Sequence, residues 1–187
     1  MTATKMPPHH KKIWTLTLVA ILIFLATPAL AQGPPPEKGQ PGPTIVELAV
    51  AANAPGGTYE GVFDTLIAGV VAAPEVFNLL SGNGQFTVFA PTDDAFIAIG
   101  LNEGNIGLLD KEFLTDVLFY HIRRGRLDSE AVLDHTRLRM YAGGFLMQDG
   151  GVLTDNVGGT ANIIVVDVMA GNGIIHAIDA VVLPYAQ

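Results

Sequence analysis

The apolar positions of this chain change their spacing part-way along. From Thr44 to Leu80 they recur at helical intervals. Ile45, Leu48, Ala49 and Ala52 follow a Thr44 N-cap, and Pro55-Gly56-Gly57 stops the run. Thr58 is placed to cap a second helix, in which Val62, Phe63, Leu66, Ile67, Val70 and Val71 make a stripe wide enough to predict burial on most sides. Pro74 opens a short third helix through Leu80, and Ser81-Gly82-Asn83-Gly84 is a turn. Phe86 to Phe89 then read as a short buried strand that Pro91 ends, because proline has no N–H for the ladder. Thr92 is an N-cap for the next helix, with Asp93 and Asp94 in its first turn facing the helix dipole.

A Gly/Asn loop around Gly104 leads to Asp110, the cap of a helix carrying Phe113, Leu114, Val117, Leu118 and His121. Arg123, Arg124 and Arg126 follow as a solvated edge suited to a helix C-terminus. From Thr136 the pattern shortens. Glycine pairs at 143–144, 150–151 and 158–159 separate brief apolar runs, and Asp149-Gly150 is a hairpin signal. Ile163 to Met169 is an apolar strand, Asn172-Gly173 a tight turn, and Ile174 to Ile178 the return strand, before Val181 to Pro184 close the pattern. Helices first and strands later predict an α+β domain rather than alternating βαβ units.

The first 31 residues stand outside this pattern. Lys5, Lys11 and Lys12 precede an apolar run from Ile13 to Leu25, then Pro28 and Ala29-Leu30-Ala31. These are the three parts of a secretory signal, predicting cleavage after Ala31. The run is shorter than the roughly 20 apolar residues a membrane span needs. Residues 32–43 form a Pro/Gly-rich linker, and 44–184 the folded domain.

Composition narrows the function. Apolar residues make up 49% and charged ones 15%, enough for a core. The net charge is −8, and −11 once the three leader lysines are gone, which argues against a nucleic-acid partner and against stable membrane insertion after cleavage. The chain has no cysteine, so thiol catalysis, disulfides and thiolate metal sites are excluded. The only serines after the leader, Ser81 and Ser129, lie in no nucleophile motif, and no P-loop or H-E-x-x-H sequence is present. Asp93 and Asp94 could pair on a metal, but adjacent helical side chains diverge by about 100°, so helix-terminus stabilisation is the better reading. His121 on an apolar helix face and His176 within an apolar strand are either ligands or acid/base groups, or each orders a loop by a buried hydrogen bond. His135, beside Asp134, reads as exposed loop. The reading is therefore of a non-enzyme with no catalytic residue, metal or cofactor.

Three segments, in order and spacing, resemble the fasciclin (FAS1) domain family: FTVFAPTDDAF at 86–96, LFYHI at 118–122 and NGIIHAIDAVVLP at 172–184. They match the family's first box, its tyrosine–histidine motif and its second box. The resemblance implies a wedge-shaped β-sandwich with flanking N-terminal helices, in which Phe89, Pro91, Thr92, Asp93, Phe96, Asn172, Gly173, His176 and Asp179 are structural. It also implies a secreted or periplasmic protein of bacterial type that acts in cell adhesion or matrix association, with a surface or matrix protein or a glycan as partner. Tyr120 and His121 match the motif tied to integrin-dependent adhesion in animal members. Asp167-Val168 falls where such members carry an aspartate–isoleucine motif, although Val165 and Val166 replace the polar and basic residues expected before it. Some relatives bind apolar pigments, so the alternative is a carrier of a carotenoid- or lipid-like molecule.

Overall fold

The computed structural model describes residues 42–185. The expected leader, its cleavage site and most of the linker lie outside the described residues. Helix α1 (Ile45–Asn53) begins at a reciprocal capping box: Glu47 N donates to Thr44 Oγ1 at 3.3 Å, and Thr44 N donates to Glu47 Oε2 at 2.8 Å. Helix α2 is Asp64–Ala72 and α3 is Pro74–Leu80, with proline in its first turn. Strand β1 (Phe86–Pro91) is buried throughout and turns into α4 (Asp93–Ile97), where Thr92 accepts from Ala95 N. A 3₁₀ turn at Ile106–Leu108 precedes α5 (Lys111–Tyr120), which Asp110 caps through Phe113 N. Then come β2 (Ile122–Arg124), α6 (Ser129–Asp134), β3 (Arg137–Arg139), β4 (Phe145–Asp149), β5 (Val152–Thr154), β6 (Thr160–Ala170) and β7 (Gly173–Ile178).

The seven strands are hydrogen-bonded in the order β2-β1-β7-β6-β5-β4-β3, an α+β architecture whose sheet is not closed into a barrel. Only β1 and β7 run parallel. Each is apolar but for one residue, Thr87 or His176, and is buried at every position, as strands covered on both faces must be. The eleven-residue β6 joins the two halves of the sheet. Its first residues pair with β5, and the remainder pairs with β7 through two register shifts. Phe89 of β1 and Ile178 of β7 share one apolar cluster with Leu138, Leu146 and Leu153 of β3, β4 and β5, so the halves pack on each other. A second cluster fills the space between the helices and β1, β2 and β7. At the β4–β5 hairpin, Gly150 and Gly151 both take positive φ (56° and 91°), the backbone that a two-residue turn of this hand requires.

Several expectations are corrected. Helix α2 starts at Asp64, and Thr58 does not cap it; residues 58–63 fold as turns instead. The reason is Asn53, whose Oδ1 accepts from Val62 N and Phe63 N at 2.9 and 2.8 Å and holds that backbone away from helix. Nor is α2 buried on most sides: only Thr65 and Gly69 are buried, and Val71 is 64% exposed. The α5 helix stops at Tyr120, with His121 as its C-cap, because Ile122 joins β1 in an antiparallel ladder. Helix α6, capped by Asp128, lies where the sequence signalled only loop. Its brevity hid it, since six residues carry less than two turns of periodicity. His135 is half-buried at its C-cap, with Nδ1 2.6 Å from Ala131 O. Arg126 does not point freely to solvent; it donates to Ala170 O at 3.0 Å and to Gly171 O at 3.3 Å.

Candidate functional site

The polar side chains nominated from sequence go mostly to backbone groups. Asn172 is buried at the β6–β7 turn. Its Oδ1 accepts from Ile45 N at 2.7 Å, and its Nδ2 donates to Leu80 O and Gly82 O at 2.7 and 2.8 Å, so one amide ties α1, the end of α3 and the following turn. Gly173 beside it cannot carry a side chain, since a Cβ would sit 2.3 Å from Phe86 O. Asp179 accepts from Asn162 N and Nδ2, both at 2.7 Å. Asp93 caps α2 rather than only its own helix: Thr65 N donates to Oδ1 at 2.8 Å and Asp64 N to Oδ2 at 3.1 Å. Phe96, five residues beyond Pro91, is buried in the core beneath the helices.

His176 is fully buried and stacked on Phe89 with ring centroids 5.7 Å apart. Its Nδ1 accepts from Asp167 N at 3.2 Å, so Nε2 carries the proton and donates to Leu127 O at 2.9 Å. Asp167 has φ of 60°, the one non-glycine residue with positive φ among the described residues. Its carboxylate accepts from Ser129 N at 2.8 Å and from Ser129 Oγ at 2.5 Å, at the start of α6. The strained backbone of the β6 bulge is thus held by a strand histidine on one side and a helix terminus on the other.

Tyr120 and His121 are also interior. Tyr120 Oη donates to Phe145 O at 2.7 Å, and burial pushes the phenol up to about 12. His121 Nδ1 donates to Val117 O at 2.7 Å, and Nε2 accepts from Val182 N at 3.2 Å. Burial pushes this imidazole down to about 4, against the smaller opposing pulls of the Val117 carbonyl and Asp155, so the ring is neutral. Asp155, which the sequence reading passed over, accepts from Val157 N, Gly159 N and Leu183 N. Its Asp-Asn-Val-Gly-Gly context was a usable turn signal. Among the described residues, no three of His, Asp and Glu are grouped to hold a metal ion.

The structure does bring apolar residues together. Helices α1, α2 and α3 lean on the sheet and leave an apolar cleft with about 100 Å³ of space between them. Its floor is Val88, Ala90, Ile175 and Ala177, with Val168 at one side. Tyr59 and His121 are the lining side chains able to hydrogen-bond. A second cleft, with about 210 Å³ of space, lies between α4, α5 and the 181–183 segment, and His121 and Leu118 line both. The nominated residues therefore divide: His121 and Val168 reach the first cleft, while Tyr120 and Asp167 do not.

The model of the Fasciclin domain matches residues 61–184, about two thirds of the chain. The chain belongs to the fasciclin domain family. It is 38% identical over 145 residues to Protein sll1483 of Synechocystis sp., covering 75% of this chain and 73% of that protein. It is 39% identical over 127 residues to transforming growth factor-beta-induced protein ig-h3 of Sus scrofa, covering 67% of this chain but only 18% of that much longer protein. Immunogenic protein MPB70 of Mycobacterium bovis is 29% identical over 182 residues, covering 87% and 92% of the two chains. Among solved structures, the FAS1 domain pair of the insect cell adhesion molecule Fasciclin I superposes with a TM-score of 0.56 at 18% identity, over 75% of this chain and 51% of that one, a likeness of fold. Within the described part of this fasciclin domain, no helix is long and apolar enough to cross a membrane.

Proposed function

We propose that this fasciclin domain is an exported, non-catalytic binding module that associates with a cell surface or extracellular matrix, through a surface or matrix protein or a glycan. The observation that carries this reading is the use made of the motif residues. Asp93, His121, Asp167, Asn172 and His176 each direct their polar atoms to backbone groups, which makes the boxes a scaffold and leaves recognition to the surface they support. Export follows from the leader pattern of residues 1–31. The test is fractionation of the source cells with antibody to the domain, alongside surface attachment of cells with and without the gene. Export with reduced attachment in its absence is expected; a cytosolic protein, or attachment that does not change, would sink the proposal.

The apolar lining of the first cleft favours a second reading, a carrier of a carotenoid- or lipid-like molecule. Gentle mass spectrometry of natively purified protein separates the two. An added small mass favours the carrier; the bare chain starting at Gln32 removes it.

A further inference from the structure

Basic side chains are confined to one part of this acidic domain. Apart from Lys111, every lysine and arginine among the described residues falls between Arg123 and Arg139. They lie on or beside β2 and β3, the two edges of the sheet. Those edges meet: Tyr141 N donates to Ile122 O at 2.7 Å and Ala142 N to Phe119 O at 3.3 Å. The guanidinium of Arg124 lies over the Tyr141 ring at 4.5 Å, and that of Arg137 over the Phe145 ring at 4.8 Å. Arg139 is the register partner of Phe145. Because Leu138 and Met140 are buried between them, Arg137, Arg139 and Tyr141 share one outward face. Arg124, Arg139 and Arg137 therefore form a continuous strip, and Asp149, on the same face of β4 as Phe145 and Met147, marks its far end.

The remaining arginines have internal work. Arg126 donates to Ala170 O, Gly171 O and Gln85, and Arg123 to Arg124 O. Among the described residues, the N–H forks of Arg124, Arg137 and Arg139 find no such acceptor. Charge on an edge strand guards against edge-to-edge pairing, but lysine serves that purpose equally well. A guanidinium held over an aromatic ring is different. The ring steadies the side chain without using up its N–H donors, and a planar guanidinium matches a carboxylate or sulfate in bidentate fashion, which an ammonium does not.

We propose that Arg124 over Tyr141, Arg137 over Phe145 and Arg139 between them bind an anionic polysaccharide whose carboxylate or sulfate groups recur along a flexible chain. A slender polyanion meets only the strip and engages several forks at once. A flat anionic membrane or a nucleic-acid duplex would also face the rest of a chain whose net charge is −11 once the leader is removed. The inference rests on the surface-association reading above and supplies the chemistry of its partner.

Titration calorimetry of the exported chain against alginate, dextran sulfate, neutral dextran, phosphatidylglycerol vesicles and duplex DNA tests it. Binding to alginate or dextran sulfate that weakens with added salt is expected, with none to neutral dextran. Each Arg→Gln change in the strip should weaken that binding about tenfold, while Lys111→Gln leaves it unchanged. If the triple Gln variant self-associates through its uncharged edges, the triple Arg→Lys variant decides: it keeps the charge but loses the fork, and about a tenfold loss is expected. No binding to either polyanion, equal binding by the triple variant that folds, or tighter binding to vesicles or DNA would each overturn the proposal. A cytosolic location in the fractionation above would defeat the surface-association reading while leaving the measured polyanion affinity intact, so the two can fail separately.

Discussion

The helical layer and the sheet of this domain are both rich in apolar residues, but they use them differently. In β1 and β7 every position is buried, and each polar group among them has a named partner, such as His176 between Asp167 N and Leu127 O. In α1 and α2 only Ile45, Asn53, Thr65 and Gly69 are buried, and apolar side chains such as Val50 and Val71 remain on the surface or line the cleft. The difference teaches that hydrophobicity and burial separate where helices are held by their ends. Asn172 grips the start of α1 and the end of α3, and Asp93 grips the start of α2. With the ends pinned by hydrogen bonds, the apolar faces need not close on the sheet, and a cleft persists between them.

The comparison can be broken first at its hinge. Gly173→Val would drive a side chain into Phe86 O and Ile45 Cδ1, where β1, β7 and α1 meet. Loss of more than about 4 kcal/mol is expected, seen as failure to fold or a collapsed urea midpoint; a small shift would show the junction is looser than its distances.

Acid should act next, through the sheet side of the cleft. The His121 imidazole is held down to about 4 by burial, against about 6.5 in an unfolded chain. The folded protein therefore favours the neutral ring. This contribution is complete above pH 6.5 and is lost as pH falls from there through about 4, on the order of 3 kcal/mol in all. Urea midpoints across this window should slope more steeply in the native chain than in His121→Leu; parallel slopes would mean that His121 is not the group responsible.

His176→Ala should cost about 1–3 kcal/mol, by stranding Asp167 N and Leu127 O and removing the Phe89 stack; an unchanged melting temperature would contradict it. Asp93→Ala should cost about 1–2 kcal/mol as a lost cap. Hydrogen exchange should place the loosening in α2, with β1 and β7 still protected; uniform loosening would mean that the two layers unfold as one unit. The smallest effect is expected from Val71→Ser, within about 0.5 kcal/mol, because the side chain is largely exposed. A larger loss there would show that the cleft wall is packed after all.

Much of the architecture was legible. The Thr44, Thr92 and Asp110 caps, the proline start of α3 and the Asp149-Gly150 hairpin are local chemistry, and each stands where its residues indicate. What was missed depended on distant partners. Thr58 has the right side chain for a cap, but Asn53 holds the following backbone in turns, and Asp93, 29 residues beyond Asp64, does the capping. His121 reads as helical until Ile122 is claimed by β1. The cleft had a signal in the surplus apolar residues of α1 and α2, but periodicity alone reads such a stripe as burial.

By itself, the sequence determined the class of fold, the helices-then-strands order of its main elements and the family, because caps, turns and apolar spacing act over a few residues and recur as matched boxes. Only the tertiary structure decided which groups those boxes would satisfy. It placed Asp93 on another helix and Asp167 between a histidine and a helix start, left the helices standing off the sheet, and brought arginines from two opposite sheet edges onto one strip. The physical reason is range: a cap is chosen within a turn of helix, whereas a buried carboxylate, a cleft or a row of charges is set by chain segments that meet only when the domain has folded.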